Sequence, residues 1–522
     1  MSNPKIKLQF LGGVAAGELG LTGSCILLTV MQGDHTTRIL IDLGLIQCSP
    51  QYFFERNIEI LQYIDPRKIN VVILTHAHTD HVGRLPILIK HGFNGRIFCT
   101  TPTSDLLEIM LNDSAKIQAE FLRNLNRKER KKHTKKEKGF RRDSGRLKFD
   151  KSRKKFKSSG HQSVLYDAED IKEVLEKVKY HGSDYHTWMR LDKNIDLKLY
   201  QSGHVLGGAI CVIRVMHSGS KDIHLGFSGD LGRVDGIILP PPEMISEQLD
   251  CWVTESTYGG KTHPQREDEI KKLITVITEA IETKGVIIIP SFALERAQEI
   301  LYLLSHYMET GVIPKIQMYL DAPMATKITQ VFSAHWDKGM FADQNMLGFN
   351  PFDVRQNKWF KIISEAKHSD ALIRSPGPYI VIAGSGTCDA GRVREHLRAN
   401  LGKENTVVLL VGYMPAKSLG RKLKENAAIV KMNDHEINIK SKNIAFDAFS
   451  AHADGQWLAS YTKQVIESYE GSANIKQKIF IVHGDPANAA WLREDIMKQM
   501  KYRRGLTDMI FIPKVNEEFT IT

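Results

Sequence analysis

The sequence lacks three features that would tie the protein to a membrane or to an oxidising compartment. None of its apolar runs approaches the roughly 20 residues that a membrane helix needs. The first residues, Met1–Lys7, have no apolar segment of the kind found in a signal peptide. The six cysteines include no CxxC pair, which favours a reduced intracellular protein over one held by disulfides. These absences predict a cytoplasmic protein with no membrane partner.

The composition excludes a mostly disordered or fibrous chain. Hydrophobic residues make up 42% of the 522 positions and charged residues 25%, which is ordinary for a globular protein. At roughly 100–200 residues per domain, the length predicts two to four domains with sizeable cores.

Positive charge is concentrated in one stretch of the chain. The formal net charge is +11, but residues 125–160 alone hold 17 Lys or Arg and 4 Asp or Glu. The rest of the chain is therefore close to neutral. Such a run is typical of a solvated, mobile insertion, and it also attracts polyanions.

The predicted secondary structure changes twice along the chain. Short strands are predicted in the first quarter, and a helix is predicted over Ser104–Leu122. Strands and helices alternate from about residue 263, which indicates a parallel sheet flanked by helices. Strand Lys478–Val482 then resembles the first region again. We therefore expect an α/β domain inserted into a β-rich one.

A dense group of metal-ligand side chains follows a predicted strand. Directly after the apolar run Val71–Thr75 come His76, His78, Asp80 and His81. Imidazole and carboxylate groups both suit zinc, and so many ligands within six residues predict a site for two ions.

Three further residues at strand ends could complete this site. His204 lies in Ser-Gly-His-Val-Leu-Gly-Gly, and Asp230 follows the strand Ile223–Phe227. Each alone is typical of a turn or core residue, but a two-metal site needs another histidine and a bridging carboxylate. Asp42 also ends a strand. It could orient a metal ligand by contacting that ligand and not the metal, or it could form an Asx turn.

With these residues the chain resembles the metallo-β-lactamase superfamily, in which HxHxDH is followed by a later His and Asp. Five more signatures make the resemblance specific. They are Thr254–Gly259, Pro290–Glu299, Gly384–Cys388, Phe449–Asp454 and Val482–Asp485. In this order they resemble β-CASP ribonucleases, which include RNase J-type enzymes and the nuclease of the cleavage and polyadenylation specificity factor. The likeness is to the short prokaryotic type.

The resemblance implies roles for individual residues. It assigns His76, His78 and His204 to one zinc, Asp80, His81 and His483 to the other, and Asp230 as the bridging ligand. Asp80, Glu255 and His452 would be catalytic, with His452 as a general acid that Glu255 holds. His483 stands where DNA-processing relatives typically have Val, which favours RNA as substrate.

Other residues are candidates for contacts with RNA phosphates. Exposed backbone N–H groups around Ser385 and Gly386 could bind a phosphate, although a plain tight turn has the same pattern. Ser291 and Arg296 open a helix after a strand, and Arg296 could instead form a surface salt bridge. The chain departs from relatives at Thr387 and at Pro415–Ser418, near the implied RNA path.

The predicted fold is an α/β metallo-β-lactamase αββα sandwich with an inserted β-CASP α/β domain. Residues 1–256 and 450–522 would form the sandwich, residues 257–449 the insertion, and residues 125–160 the mobile basic segment. The predicted function is a ribonuclease with two zinc ions, or manganese in their place, leaving 5′-phosphate and 3′-hydroxyl ends. RNA would be the substrate, and the basic segment would bind RNA, the ribosome or an RNA-processing complex. The chain could also form a homodimer.

Two alternative functions remain open on the sequence. One is a metallohydrolase for small esters or thioesters, which the motifs around Glu255, His452 and His483 disfavour. The other is a catalytically silent RNA-binding scaffold, which the seven filled ligand positions disfavour.

Overall fold

The structure is a computed structural model that describes most of the chain. The described residues are 4–14, 22–137, 164–179, 185–217, 221–342, 347–433, 435–467, 477–500, 505 and 508–522. The basic segment predicted at 125–160 lies outside this set after residue 137. No helix among the described residues is long and apolar enough to cross a membrane.

The strands follow one another along the chain in this order. They are β1 (Lys5–Gly12), β2 (Cys25–Gln32), β3 (His35–Ile41), β4 (Val71–Ile73), β5 (Arg96–Phe98), β6 (Val178–Lys179), β7 (Met189–Asp192), β8 (Ile195–Gln201), β9 (Ala209–Val215), β10 (Ile223–Phe227), β11 (Cys251–Glu255), β12 (Val286–Pro290), β13 (Met318–Asp321), β14 (Phe360–Ile362), β15 (Tyr379–Ala383), β16 (Val407–Leu410), β17 (Ile429–Met432), β18 (His435–Asn438), β19 (Lys442–Ala445), β20 (Lys478–Val482), β21 (Ile510–Phe511) and β22 (Glu517–Thr520).

The helices lie between these strands. They are α1 (Pro50–Ile58), α2 (Thr79–Val82), α3 (Leu85–Lys90), α4 (Thr101–Glu137), α5 (Ala168–Lys177), α6 (Arg266–Glu282), α7 (Arg296–Glu309), α8 (Pro323–His335), α9 (Ala366–Arg374), α10 (Val393–Asn400), α11 (Leu419–Lys424), α12 (Gly455–Glu467) and α13 (Pro486–Gln499). Short 3₁₀ turns occur at Glu59–Gln62, Pro66–Lys68 and Asp447–Phe449.

The chain forms two compact units. The first comprises residues 1–99, 110–180 and 513–522, and the second comprises residues 100–109 and 181–512. The first unit contains one seven-stranded sheet in the order β22-β1-β2-β3-β4-β5-β6. Its strands β3 to β6 run parallel, so the loops after β3 and β4 lie at one edge.

A second seven-stranded sheet lies in the second unit. Its order is β21-β20-β11-β10-β9-β8-β7. Strands β10, β11 and β20 are parallel neighbours, and β8 runs in the same direction because it is separated from β10 by the antiparallel β9. The loops that follow β8, β10, β11 and β20 therefore meet at one edge of this sheet.

The inserted domain also belongs to the second unit. Its six strands are all parallel, in the order β14-β13-β15-β12-β16-β19. In the chain these strands lie between β11 and β20, which pair directly with each other. The predicted α/β class, with a parallel-sheet domain inserted into the metallo-β-lactamase fold, is thereby confirmed.

Helix α4 is longer than the helix predicted over Ser104–Leu122. It extends to Glu137, into the first third of the basic segment. The apolar spacing used for the prediction stops near Leu122, but Lys, Arg and Glu are good helix formers, so a helix can continue there without an apolar face. The remainder of the predicted mobile segment, residues 138–160, lies outside the described residues.

Candidate metal centre

In the first unit, the four predicted ligands follow the end of β4. His76 and His81 are buried, and His78 and Asp80 are half-buried. The His76 Nε2 and His78 Nδ1 atoms lie 3.0 Å apart. Asp80 and His81 lie in the single-turn helix α2 and offer ligand atoms within 4.8 Å of each other. The short turn thus brings these side chains, which are neighbours in the sequence, together as a compact set of imidazole and carboxylate groups.

Asp42 contacts the loop that carries the histidines after β4. It follows β3, the parallel neighbour of β4, and is buried. One carboxylate oxygen, Oδ1, accepts a hydrogen bond of 2.8 Å from the Thr75 backbone N–H. The other, Oδ2, lies 2.8 Å from Thr75 Oγ1 and 2.7 Å from His81 Nδ1. With Nδ1 engaged by the carboxylate, the Nε2 atom of His81 is the nitrogen left to bind a metal.

In the second unit, Asp230 lies between two histidines. Its Oδ2 is 3.5 Å from His204 Nε2, and its Oδ1 is 3.4 Å from His483 Nδ1. All three residues are buried and follow the ends of β10, β8 and β20, whose loops share one sheet edge. The Thr257 hydroxyl also contacts His483 Nδ1, at 3.1 Å. A carboxylate with one oxygen toward each of two histidines has the form of a bridging ligand.

His452 and Glu255 form a pair at the same edge. The His452 Nδ1 atom lies 3.2 Å from Glu255 Oε1, and Glu255 is fully buried at the end of β11. The same oxygen accepts a 2.7 Å hydrogen bond from the Leu231 N–H. The His452 ring lies 4.4 Å from the His204 ring, between centroids. The predicted partners for acid catalysis are therefore adjacent to Asp230 and His204.

Two residues that the sequence analysis missed support His452. His263 Nε2 lies 2.9 Å from the His452 carbonyl oxygen, and the Tyr258 ring lies 4.5 Å from the His263 ring. Burial lowers the pKa of His263 to about 4, so its ring is neutral and donates to that carbonyl. Its position in Tyr-Gly-Gly-Lys-Thr-His, directly after the Glu255 motif, was the available signal.

A buried charge cluster lines a pocket beside His204. The pocket is lined by residues including Arg233, Arg266, Glu295 and Glu299. Arg233 donates to both carboxylate oxygens of Asp235. Burial, and then the nearby Glu299, raise the pKa of Glu295 well above its usual range. This cluster could not be predicted from the sequence, because its members come from separate segments of the chain.

The predicted phosphate-binding residues have different surroundings. Arg296 is buried and ion-paired with Glu299, so its charge is already matched within the protein. Ser291 is also buried, and its hydroxyl donates to the Phe292 carbonyl oxygen. Ser385 is half-buried in the loop after β15, with Gly386 beside it. These roles stay predictions.

The donors of each unit fit a divalent metal. Imidazole nitrogens and carboxylate oxygens are ligands that zinc accepts, and they are gathered in buried or half-buried positions. His204 and Asp230 offer atoms within 4.8 Å of each other, as do His76 and His78.

Comparisons with known proteins agree with this chemistry. Family models match as the metallo-β-lactamase superfamily over residues 20–147, the Beta-Casp domain over 297–423, and the Zn-dependent metallo-hydrolase RNA specificity domain over 436–504. The chain is therefore similar to the metallo-β-lactamase superfamily in its first part and to the Beta-Casp and RNA specificity domains further along. This agrees with the resemblance of its motifs to β-CASP ribonucleases.

Three relatives span most of the chain. "Ribonuclease TTHA0252" of Thermus thermophilus is 28% identical, over 86% of this chain and 88% of its own. "Transcription termination factor FttA" of Methanocaldococcus jannaschii is 28% identical, over 95% and 69%. An "RNase J-like protein" of the same organism is 26% identical, over 95% and 96%.

Proposed function

We propose that the protein is a ribonuclease that hydrolyses RNA phosphodiester bonds with two divalent metal ions, leaving 5′-phosphate and 3′-hydroxyl ends. The observation that carries the proposal is Asp230, whose two oxygens face His204 and His483, with the His452–Glu255 pair beside them. The match to an RNA specificity domain and the relatives named as ribonucleases support RNA as the substrate.

The resemblance to β-CASP ribonucleases supports the following assignment of metal ligands. His76, His78 and His204 would bind one zinc ion and Asp80, His81 and His483 the other, with Asp230 shared. When bound, such ions activate water and neutralise the charge that develops on the phosphate. Asp42 would fix the orientation of His81 through its Nδ1 contact.

His452 would supply the proton that the leaving oxygen needs. The Glu255 carboxylate contacts His452 Nδ1 and stabilises the protonated ring, so that Nε2 can donate to the departing 3′-oxygen. Glu255 is itself fixed by the Leu231 and Thr257 N–H groups. The backbone of the His452 loop is held by the hydrogen bond from the Ala453 N–H to the Leu231 carbonyl oxygen.

The test uses end-labelled RNA carrying either a 5′-triphosphate or a 5′-monophosphate. We expect the purified full chain to cleave it and to copurify with zinc. The His81→Ala variant should lose both metal and activity. The His452→Ala variant should keep its zinc and lose about 100- to 10,000-fold in rate.

Three outcomes would contradict the proposal. Full cleavage by metal-depleted protein would exclude the metal mechanism, and wild-type cleavage by His452→Ala would exclude that acid. RNA binding without cleavage would instead indicate a scaffold. The length of the labelled products, whether mononucleotides, a ladder or internal fragments, separates exonuclease from endonuclease action.

A further inference from the structure

Two aromatic side chains are exposed at the carboxyl edge of the inserted parallel sheet. Phe292 is 41% exposed and Tyr413 is 72% exposed. Phe292 follows the end of β12 by two residues, and Tyr413 follows the end of the neighbouring β16 by three. Carboxyl ends of parallel strands share one edge, and that edge is where open α/β sheets bind their ligands.

The Phe292 ring rests on the backbone of two glycines. A Cβ atom built on Gly386 would lie 2.7 Å from a carbon of this ring, and one built on Gly412 would lie 2.9 Å from it. Gly386 follows β15 and Gly412 follows β16, the two neighbours of β12 in the sheet. The ring is thus packed on loops from both sides while a large part of it stays open to solvent. Since Gly412 precedes Tyr413, both aromatic residues belong to this one surface.

A lysine on the loop after Tyr413 adds positive charge. Lys417 is exposed, and no carboxylate among the described residues forms an ion pair with it. Its φ is +74°, a backbone conformation that favours glycine and that costs a lysine free energy. A strained position of this kind often marks a functional site. The Ser385 and Thr387 hydroxyls, 3.4 Å apart, lie in the loop after β15 at the same edge.

We propose that Phe292 and Tyr413 stack on the bases of single-stranded RNA, and that Lys417 contacts a phosphate of the same strand. Exposed aromatic rings with adjacent positive charge are the usual means of binding single strands, because every base has a π-face. We call the surface formed by Phe292, Tyr413 and Lys417 the platform. It would bind RNA with little sequence preference. This inference rests on the proposed ribonuclease function and adds a substrate-binding surface to it.

The experiment measures the affinity of the full chain for a fluorescent oligouridylate and for an abasic strand of the same length. Both are measured in the His452→Ala background to prevent cleavage. Each of Phe292→Ala and Tyr413→Ala should weaken binding of the oligouridylate by about 5- to 150-fold. Neither should change binding of the abasic strand. Phe292→Leu should behave as the alanine variant does, and Phe292→Tyr should retain affinity.

A matched control comes from the opposite edge of the same sheet. Val312 is 51% exposed in the connection that enters β13, so Val312→Ala should leave RNA affinity unchanged.

The charge is tested separately by Lys417→Gly. Glycine relieves the positive φ, so the unfolding midpoint should be unchanged or higher. The slope of log affinity against log salt should nevertheless fall by about 0.7.

The outcomes separate this inference from the function on which it rests. Unchanged affinity in the aromatic variants, or an equal loss for the abasic strand, would overturn the platform. So would a change in self-association with RNA affinity intact, since the surface would then bind protein. Wild-type protein that binds bases through Phe292 and Tyr413 but cleaves no RNA would instead contradict the ribonuclease and leave the platform standing.

Discussion

At the scale of single residues, Asp42 has the clearest consequence for the metal centre. Its carboxylate contacts both Thr75 and His81, so its removal frees the His81 ring to rotate. We predict that Asp42→Ala lowers the affinity of the protein for zinc by about 10- to 100-fold. Metal titration with a chromophoric chelator measures this.

The control for that prediction is Asp34→Ala. Asp34 lies on the exposed turn between β2 and β3. An Asp42→Ala protein with the zinc affinity of the Asp34→Ala protein would show that the carboxylate does not orient a ligand.

His263 makes stability depend on pH. Its pKa is lowered to about 4 in the folded protein by burial and lies near 6.5 in an unfolded chain. The folded state therefore binds fewer protons, and the stability that neutral His263 contributes is complete above about pH 6.5. It is lost as the pH falls from there toward 4.

We predict that His263→Gln reduces this acid destabilisation. The urea midpoint of the wild type should fall further between pH 7 and pH 5 than that of the variant, whose amide keeps a donor for the His452 carbonyl oxygen. Equal falls in the two proteins would contradict the assignment. His91→Gln, at an exposed histidine after α3, provides the comparison.

At the scale of elements, one buried carboxylate joins three segments of the inserted domain. Asp321, at the end of β13, is fully buried and accepts hydrogen bonds from Ser369 in α9, and from Arg392 and His396 around α10. Burial alone would raise the pKa of Asp321, but these hydrogen bonds outweigh it and lower the pKa.

We predict that Asp321→Ala destabilises the protein by about 3–5 kcal/mol, because it leaves buried partners of a charged group unmatched. Chemical denaturation followed by circular dichroism measures the loss. Asp370→Ala, on the exposed face of α9, should cost little. A similar small loss at Asp321 would show that Arg392 and His396 find other partners.

Some elements could be predicted from the sequence to the residue. Strands β10 and β20 begin and end as predicted, since each is a short apolar run between polar turns. The hairpin β17–β18 was missed because its alternation is weak and several of its side chains are exposed. The Asp321 network was missed for another reason: its members are up to 75 residues apart, and only the folded chain brings them together.

The candidate site was predictable to a similar extent. The ligands in His76–His81 are recognisable because four ligand-type side chains lie within six residues. Glu255, His452 and His483 are recognisable because each lies in a short motif. For His263, the position close to the Glu255 motif is the one signal in the sequence, and its hydrogen bond to the His452 carbonyl oxygen could not be predicted from it. Arg296 and Glu299 form a buried ion pair three residues apart, and the sequence does not distinguish it from an exposed pair, because both have the same spacing.

At the scale of the whole molecule, the positive charge predicts a salt-dependent contribution to RNA binding. All 17 basic residues of the 125–160 segment lie within 127–157. Deleting 127–157 should weaken RNA binding at low salt and flatten its salt dependence, because fewer counterions are released from the RNA. The zinc content should not change.

The control for the deletion keeps the length of the segment. Replacing its Lys and Arg residues with Gln should reproduce the loss of binding if charge is responsible. An unchanged salt slope in either protein would show that the segment does not contact RNA.

The strand pairings also determine when, during synthesis, the two seven-stranded sheets can be completed. β1 pairs with β22, more than 500 residues later, and β11 pairs with β20 on the far side of the inserted domain. A nascent chain displays His76–His81 early, but it has neither His452 nor His483 until translation has passed both. The proposed acid and the last of the proposed metal ligands are therefore made near the end of synthesis. If the protein is the proposed ribonuclease, the order of its sequence keeps it from cleaving the RNA of the ribosome that makes it.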